Sequence, residues 1–538
     1  MGRGGSKLAA VTMVMLAAGT AWGSGPSRAE GSPQAAPPSV AALGAHLRFL
    51  SSDLLEGRGI GTRGGRLAAA YIETVFRAAG LEPAYGDSYR QPVPMTVYAA
   101  DPTARVDVTA PSGTVSLTYG TDFAGLNFGL ASGRIEGEPL FVGYGITAPD
   151  EKWDDYKDTD VRGRILIGFV NEPGRETPDR FAGKALTIYG RWTTKYEEAA
   201  RRGAAAMILI HTDADAGYDW DVVRNSWAGE AFRLTDDPHV LPLQLWITEK
   251  RAREILSAAG LDLDALRTRA ERPDFRPVPV PVRLAVTARL QAHRAQGTNV
   301  VGVLPGTAGP EAPAVVLCAH YDHFGVGNAV DGDDIYNGAV DNGSALAVLL
   351  GLAQSYGRAP ARDTLVFAAW DAEEEGLLGS AYYTRHPAVP LARTLAAVNF
   401  EMSNVWGPTT DALAIGADTS DLESLLRGVL ARRHMTLTPD DAPEQGFFFR
   451  SDQASLVRAG VPAVWLDTGF DVVGRPAGWG REQRERYRAH DYHKPSDEFR
   501  PGWDLRGLEE LGGITIDLVQ AVERAGKVDF KPGSPFSR

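Results

Sequence analysis

Histidine and carboxylate side chains follow the ends of apolar runs in the second half of the chain. His320 and Asp322 come directly after one run, Glu401 comes after another, and Asp341 lies just before a segment with helical spacing. A late loop adds His493. Neutral imidazole and carboxylate are the ligands that a borderline-soft metal such as zinc takes, and two metal ions can share one carboxylate. These residue types therefore predict a metal centre.

An acidic triplet, residues 373–375, follows a further apolar run. A metal centre that hydrolyses a bond also needs a carboxylate that is not itself a ligand, because a base must take the proton from the attacking water. Glu373 beside Glu374 offers such a pair of base and ligand. The acidic residues between positions 331 and 334 have no such setting and are interpreted as a solvated loop.

The runs that precede these residues are apolar without alternation, and helical segments separate them. Continuous apolar strands are buried on both faces, and strand-helix alternation indicates an α/β fold with a mostly parallel central sheet flanked by helices. Side chains at the carboxyl ends of such strands meet at one edge of the sheet. The predicted strands are residues 299–304, 314–319, 364–370, 395–400 and 462–466, and the predicted helices are residues 64–79, 344–356 and 505–522.

Four motifs combine these residues: His320-x-Asp322, Gly338-Ala-Val-Asp341-Asn-Gly-Ser, Glu373-Glu374-x-Gly-Leu-x-Gly-Ser and Tyr492-His493-x-Pro-x-Asp497. In their order and spacing they resemble the motifs of the co-catalytic di-zinc aminopeptidases, the family related to glutamate carboxypeptidase and the transferrin receptor. Residues 53–59 resemble the opening segment of that family. The resemblance implies a zinc aminopeptidase/carboxypeptidase-like fold and two Zn²⁺ per chain.

Carried over residue by residue, the resemblance implies that Asp341 bridges the two zinc ions. His320 and Glu401 then complete one site, and Glu374 and His493 complete the other. Many relatives carry aspartate at the position of Glu401, so we expect a working site with an altered metal preference at most.

The resemblance also implies three supporting roles. Glu373 is the general base. Asp322 accepts a hydrogen bond from the far nitrogen of His320, which fixes the ring. Tyr492 matches a tyrosine that helps to stabilise the oxyanion.

Three neighbouring features have other interpretations. The glycines and serine at residues 376–380 set the register of the acidic triplet and leave Glu375 as a surface residue. His323, close to the first motif, is interpreted as a loop residue. The aromatic run 447–449 either lines a substrate pocket or is plain packing, and the sequence favours neither.

The first half of the chain suggests further organisation. Arg3 and Lys7 precede a short apolar stretch and then small residues, a pattern typical of a secretory signal peptide. Residues 196–211, a helix followed by an apolar strand, resemble part of a protease-associated domain. The predicted organisation is a signal peptide (1–23), a flexible leader (24–39), a discontinuous zinc peptidase domain (40–125 and 291–528), an inserted β-rich protease-associated domain (126–290) and a C-terminal tail (529–538).

Composition excludes several classes of partner. The 538 residues include 68 acidic and 55 basic side chains, which gives a net charge of -13 without a run of Lys or Arg. Because nucleic-acid affinity comes mainly from cation-phosphate attraction, no nucleic-acid partner is expected. No apolar segment reaches the ~20 residues of a membrane span, so no integral membrane segment is expected after signal removal. Cys318 is the only cysteine, so no intrachain disulfide can form, which favours a bacterial periplasm or medium.

The resemblance therefore implies a secreted or periplasmic zinc-dependent exopeptidase that hydrolyses N-terminal amino acids from peptide substrates. A water bridging two zinc ions would attack the carbonyl, with Glu373 as the general base. Three alternatives are a glutamate-type metallocarboxypeptidase, a single-zinc glutaminyl cyclase and a non-catalytic binding protein. The carboxypeptidase would need an arginine cluster to hold the terminal carboxylate. His320 with Glu401 argues against the cyclase, and the complete ligand set argues against the binding protein.

Overall fold

The helices and strands follow the apolar patterns of the sequence closely. The structure is a computed structural model that describes residues 1–2, 34–111, 113–175, 177, 180–227 and 229–537. Most of the predicted signal peptide and most of the predicted leader therefore lie outside the described residues. In the described part of the chain, no helix combines the length and the apolar character needed to cross a membrane.

Thirteen α-helices are present in the described residues. Their bounds are α1 Val40–Leu50, α2 Arg63–Ala78, α3 Trp192–Arg201, α4 Asp213–Ala216, α5 Trp220–Ser226, α6 Glu249–Ala258, α7 Leu263–Ala270, α8 Ala345–Arg358, α9 Leu378–Arg385, α10 Leu422–Arg432, α11 Gln453–Arg458, α12 Trp479–His490 and α13 Arg506–Ala525. Helix α2 begins one residue before the predicted start at residue 64, and the Thr62 side chain caps its first turn by accepting a hydrogen bond from Gly65 N at 3.2 Å.

The same residues contain 24 strands, several of them only two residues long. Their bounds are β1 Glu82–Pro83, β2 Arg90–Ala99, β3 Arg105–Ala110, β4 Gly113–Leu117, β5 Phe123–Asn127, β6 Arg134–Gly137, β7 Leu140–Phe141, β8 Thr147–Ala148, β9 Trp153–Asp154, β10 Ile165–Phe169, β11 Ala206–His211, β12 Glu230–Leu234, β13 Leu243–Thr248, β14 Val278–Pro279, β15 Arg283–Thr287, β16 Ala292–Leu304, β17 Ala314–His320, β18 Gly325–Val330, β19 Asp333–Tyr336, β20 Thr364–Trp370, β21 Thr394–Asn399, β22 Asp411–Ile415, β23 Thr436–Thr438 and β24 Ala463–Thr468.

A ten-stranded mixed sheet organises the part of the fold that carries the predicted metal ligands. Its order is β12-β2-β16-β20-β17-β21-β24-β22-β23, with β1 paired to β16. The four central strands, β20, β17, β21 and β24, are parallel. On one side of these strands, neighbouring strands pair antiparallel from β12 through β2 and β16 to β20. On the other side, β24 pairs antiparallel with β22. The prediction of a mostly parallel sheet therefore holds for the centre, and the whole sheet is mixed.

Helices cover both faces of the central strands. Every residue of β17 and β20 is buried, as their continuous apolar sequences predict. Along β17, Val315 and Leu317 pack into the layer that contains α1, α2, α8 and α13, whereas Val316 and Cys318 pack into the layer that contains α9 and α11. Alternate residues of one strand therefore supply two cores.

Two further sheets are built from residues 105–287. One has six strands in the order β14-β7-β10-β11-β13-β5, and the other has four in the order β4-β3-β15-β6. The strands of these two sheets come from both sides of residue 126, the predicted start of the inserted domain. Strand β12 lies within the same range of residues but pairs with β2 at the edge of the ten-stranded sheet. We call residues 105–287 the flanking region. Residues 139–145 form only the two-residue strand β7, because the chain turns through Gly143 and Gly145, which both have positive φ.

Candidate metal centre

The parallel strands bring the predicted ligands to one edge of the sheet. His320 is the last residue of β17, residues 371–375 follow β20, and Glu401 comes two residues after β21. Because β20, β17 and β21 are neighbours and run in the same direction, their carboxyl ends lie side by side. The turn before α8 adds Asp341, and the loop after α12 adds His493.

His320 lies at the centre of the first group of ligands. Its Nε2 atom lies 3.1 Å from Glu401 Oε1, 3.3 Å from Asp341 Oδ1 and 3.9 Å from Glu373 Oε2. The side chains of His320, Asp341 and Glu401 are buried, and Glu373 is nearly so. Donor atoms of one imidazole and up to three carboxylates therefore converge on one small volume.

His493 defines a second group that shares Asp341 with the first. Its Nε2 atom lies 3.3 Å from Asp341 Oδ2 and 3.4 Å from Glu374 Oε2. Within the described residues this nitrogen has no hydrogen-bond partner of suitable geometry. Each carboxylate oxygen of Asp341 thus faces a different histidine, the arrangement expected of a carboxylate that bridges two metal ions.

The charges of the cluster fit bound cations. Burial raises the pKa values of Glu373 and Glu374 well above the ordinary value, and neighbouring carboxylates add to this effect. Burial opposes ionisation of Asp341 as well, but the two histidines hold its pKa well below the ordinary value. Burial lowers the pKa of His320, yet the carboxylates of Glu401 and Glu373 raise it further than burial lowers it. Carboxylates thus outnumber imidazoles in a buried space, and metal ions would neutralise the excess negative charge.

Asp322 supports the cluster in a different way from the one predicted. Its carboxylate accepts hydrogen bonds from Glu373 N at 3.1 Å and Glu374 N at 3.3 Å. The Nδ1 atom of His320 is 3.7 Å from Asp322 Oδ1 but only 3.2 Å from the Asp322 carbonyl oxygen. The carboxylate therefore fixes the backbone of the acidic pair, and the closer partner of the His320 ring is the main chain.

The acidic triplet has an unambiguous register in the structure. Glu374 points to His493 and Glu373 points to His320, whereas Glu375 contacts neither histidine. Glu375 is not the surface residue that the sequence suggested, because it is half-buried and burial raises its pKa to about 7. The charge of Asp322 raises the pKa of Glu375 further, and the charge of Arg233 in β12 acts in the opposite direction.

Tyr492 lies beside the second group of ligands. Its ring stacks on the His493 ring with the centroids 3.7 Å apart and the planes 28° apart. Burial raises the pKa of Tyr492 well above its ordinary value, with a further contribution from Asp341. The phenol is therefore neutral at ordinary pH and can donate a hydrogen bond.

His323 contacts a predicted ligand directly, which its interpretation as a loop residue did not anticipate. Its Nδ1 atom lies 2.6 Å from Glu374 Oε1, so one oxygen of Glu374 is held by His323 and the other faces His493. The His323 ring is buried, and burial holds its pKa well below the ordinary value. The ring is therefore neutral, and its Nδ1 atom shares a hydrogen bond with Glu374. The only sequence signal was its position next to Asp322.

Two other side chains orient ligands from outside the cluster. Ser451 Oγ donates a 2.7 Å hydrogen bond to Glu401 Oε2. The Asp497 carboxylate accepts hydrogen bonds from Val340 N at 2.9 Å and Asp341 N at 3.0 Å, which fixes the turn that carries Asp341. Asp497 belongs to a motif found in the sequence, but nothing in the sequence marked Ser451.

Arg58 braces the loops on the opposite side of this turn. Its guanidinium is fully buried and donates to four backbone carbonyl oxygens, those of Leu50, Tyr321, Asn337 and Gly338, at 2.5–2.9 Å. Gly338 has φ +55°, and a Cβ atom there would lie 2.1 Å from Asp341 O. The resemblance of residues 53–59 to an opening segment therefore has a structural basis, since this segment holds the chain on either side of the metal ligands.

Parts of the chain are similar in sequence to known proteins. Residues 299–519 match the sequence profile described as "Peptidase family M28". Among curated proteins, the chain is 30% identical over 251 residues to "Aminopeptidase YwaD" of Bacillus subtilis (strain 168), a match that covers 46% of this chain and 49% of the relative. The chain thus spans about half the length of this relative, or less for others that it matches.

Two solved structures are similar to this chain over most of their length. An aminopeptidase from Aneurinibacillus sp. strain AM-1 has a TM-score of 0.49 at 18% identity, covering 92% of this chain and 97% of its own. A zinc aminopeptidase from Bacillus subtilis has a TM-score of 0.43 at 17% identity, covering 93% of this chain and 98% of its own.

Proposed function

We propose that the chain is a member of peptidase family M28, whose sequence profile matches residues 299–519, and that it is a zinc-dependent exopeptidase that removes N-terminal amino acids from peptides. The observation that carries this proposal is the position of Asp341. Its two carboxylate oxygens face His320 and His493, and each histidine has one further carboxylate, Glu401 or Glu374, close to its Nε2 atom.

These five residues would hold two zinc ions, with Asp341 shared between them. Imidazole nitrogen and carboxylate oxygen suit zinc, and two zinc ions bridged by a carboxylate are a known hydrolytic arrangement. Bound zinc supplies a Lewis acid that polarises the scissile carbonyl and lowers the pKa of a water molecule.

Glu373 is the residue that moves the proton. It accepts a proton from the attacking water and returns it to the leaving amine, which is the task of a general base that then acts as an acid. Its main chain is fixed by Asp322, and its carboxyl lies beside His320 without the short contact that Glu401 makes. The raised pKa of Glu373 suits this return of the proton, because a buried carboxyl holds a proton more readily than an exposed one.

Two neighbours orient the reacting groups. His323 holds one oxygen of Glu374, so that the other is directed to His493. Tyr492, a neutral phenol stacked on His493, would donate a hydrogen bond to the oxyanion that develops on the substrate carbonyl.

The flanking region is proposed to act as a protease-associated domain that borders the site. Leu186 N donates a 3.0 Å hydrogen bond to Pro443 O, and Arg458 pairs with Glu197 at 3.2 Å. These contacts join the flanking region to residues on both sides of Ser451 in the sequence. We further propose that residues 1–23 direct export to the periplasm or medium.

The experiment that tests the function combines elemental analysis of the purified protein with a panel of peptides that carry either free or acetylated N-termini. About two zinc per chain and cleavage of only the free peptides are expected, since an aminopeptidase needs the free amine. Equal cleavage of acetylated peptides, especially those that end in glutamate, would replace this proposal by the carboxypeptidase. A single zinc with release of ammonia from N-terminal glutamine would indicate the cyclase. If the protein binds no metal and shows no turnover even after zinc is added back, the non-catalytic binding protein is the remaining alternative.

A further inference from the structure

Two arginine side chains share one aromatic ring beside the metal centre. The guanidinium carbon of Arg450 lies 5.6 Å from the centroid of the Phe447 ring, and that of Arg488 lies 4.7 Å from it. A third arginine, Arg191 of the flanking region, is close enough that the charge of Arg450 contributes to lowering its pKa, although burial is the larger cause. We call Arg191, Arg450 and Arg488 the arginine cluster.

The arginine cluster lacks the counter-charges that neighbouring arginines have. Arg458, Arg481 and Arg484 pair with Glu197, Asp441 and Asp467, respectively. Among the described residues, by contrast, no member of the cluster has a carboxylate oxygen within 4.0 Å or donates a side-chain hydrogen bond. The carboxylate of Asp440 raises the pKa of Arg488 from beyond that distance.

Grouping guanidinium groups without acidic partners is unfavourable. Arg191 and Arg488 are partly buried, and burial lowers the pKa values of both. The positive charge of Arg450 lowers the pKa of Arg191 further. The charges of Arg484 and, to a smaller extent, Arg450 lower the pKa of Arg488. An anion bound among the three would remove this repulsion. Guanidinium groups recognise carboxylates by paired, charge-assisted hydrogen bonds.

Covalent and packing contacts connect the arginine cluster to the metal ligands. Arg450 directly precedes Ser451, which donates to Glu401 Oε2. The Phe447 ring packs against Trp465 at a centroid distance of 6.2 Å, and Trp465 Nε1 donates to the Glu401 carbonyl oxygen at 3.1 Å. The cluster therefore lies close to where a substrate held at the metal centre would continue.

We propose that the arginine cluster binds a carboxylate of the peptide substrate and makes the enzyme selective for peptides that carry one near the scissile bond. The proposal rests on the proposed peptidase function and names its substrate class. The carboxylate has two possible sources, the C-terminal carboxylate of a short peptide or the side chain of an aspartate or glutamate residue. Both present the same planar pair of oxygens to the guanidinium groups.

The test compares kcat/KM on two matched pairs of peptides that share the best N-terminal residue X of the free-peptide panel. The pair X-Gly-Gly and X-Gly-Gly-amide varies only the C-terminal carboxylate. The pair X-Glu-Gly-amide and X-Gln-Gly-amide varies only a side-chain carboxylate. In the unmodified protein, we expect the charged member of at least one pair to be preferred.

Arg450→Gln and Arg488→Gln are expected to lower the preference for the charged member by about tenfold, the range expected for loss of a hydrogen bond to a charged group. The neutral member should be hydrolysed at an unchanged rate. Arg450→Lys should restore part of the preference, because it keeps the charge but loses the planar fork. Arg486→Gln is the matched control, an exposed arginine on the same helix as Arg488 that should change neither pair.

The outcomes separate the two levels of the argument. Loss of preference in the first pair identifies the C-terminal carboxylate as the source, and loss in the second pair identifies the side chain. Equal rates for both members of both pairs in the unmodified protein, with the neutral peptides still cleaved, would overturn the carboxylate site and leave the peptidase function standing. The site would also be overturned if the arginine variants slowed charged and neutral peptides equally. Absence of turnover on every free peptide would instead refute the proposed function.

Discussion

Replacing Glu373 by Gln is expected to remove most of the turnover while the metal stays bound. Glutamine has the shape of glutamate, and the main-chain hydrogen bond from residue 373 to Asp322 is independent of the side chain. The side chain of Glu373 lies 3.9 Å from His320 Nε2, whereas Glu401 lies 3.1 Å from the same atom. The metal site therefore keeps its close donors, and only proton transfer is lost.

The magnitude follows from the role of the base. A positioned general acid-base group contributes about 10²–10⁴-fold to a rate. At about 1.4 kcal/mol per factor of ten, this corresponds to an increase of about 3–5 kcal/mol in the activation free energy. Because the substituted amide cannot accept the proton, the loss should appear in kcat, with KM nearly unchanged.

The acidic triplet supplies matched controls for this prediction. The same change in Glu374→Gln should lower the metal content, since Glu374 Oε2 faces His493. The Glu375→Gln substitution should change neither the metal content nor kcat, since Glu375 contacts neither histidine. Elemental analysis and steady-state kinetics on one free peptide measure both quantities. Full activity of Glu373→Gln, or loss of zinc from it, would refute the assignment of Glu373 as a base that is not a ligand.

Three other substitutions test separate parts of the structure. His493→Ala should lose metal and activity together, and a variant that keeps its full metal content would contradict the role of His493 as a ligand. Ser451→Ala removes the 2.7 Å hydrogen bond to Glu401 and should weaken zinc binding about 10–100-fold in a chelator competition, with unchanged affinity as the contrary result. Lys195→Met should destabilise the protein more at pH 8 than at pH 5. Burial raises the pKa of Glu172 from 4.5 to about 7, although the charge of Lys195 lowers it. The folded chain therefore loses stability as the pH rises from 4.5 to about 7, because Glu172 must ionise in a buried place. Removing Lys195 increases that loss. Calorimetric Tm values at both pH values measure it, and an equal fall at both would refute it.

The central sheet could be predicted because its signal is local. The run at 364–370 is apolar at nearly every position, and strand β20 occupies those residues. Strand β16 begins seven residues earlier than the predicted start at residue 299, because its first half is polar, exposed and paired with β2 at the outer part of the sheet. An apolar pattern reports burial, so it cannot report a strand whose pairing is not accompanied by burial.

The group of ligands could be predicted for a different reason. Parallel strands with buried sequences must end at one edge, so residues placed after each strand meet without any knowledge of loop structure. His323 could not be assigned in this way. Its contact with Glu374 depends on the path of the loop after β17. The residues around His323 do not reveal whether its ring faces a ligand or solvent.

Arg58 shows why metal loss alone does not identify a ligand. Arg58 touches no carboxylate of the cluster, yet it donates hydrogen bonds to the carbonyl oxygens of Tyr321 and Gly338, which lie close to ligands in the sequence. The carboxylate of Asp497 accepts a hydrogen bond from the amide of Asp341. Such partners are main-chain atoms, which every residue has, so no spacing of residue types announces them. Removing either brace would release the turn and, with it, the metal. A residue is therefore established as a ligand only when its substitution removes the metal and leaves the unfolding temperature of the metal-free protein unchanged. Loss of a brace instead lowers both the metal content and that unfolding temperature.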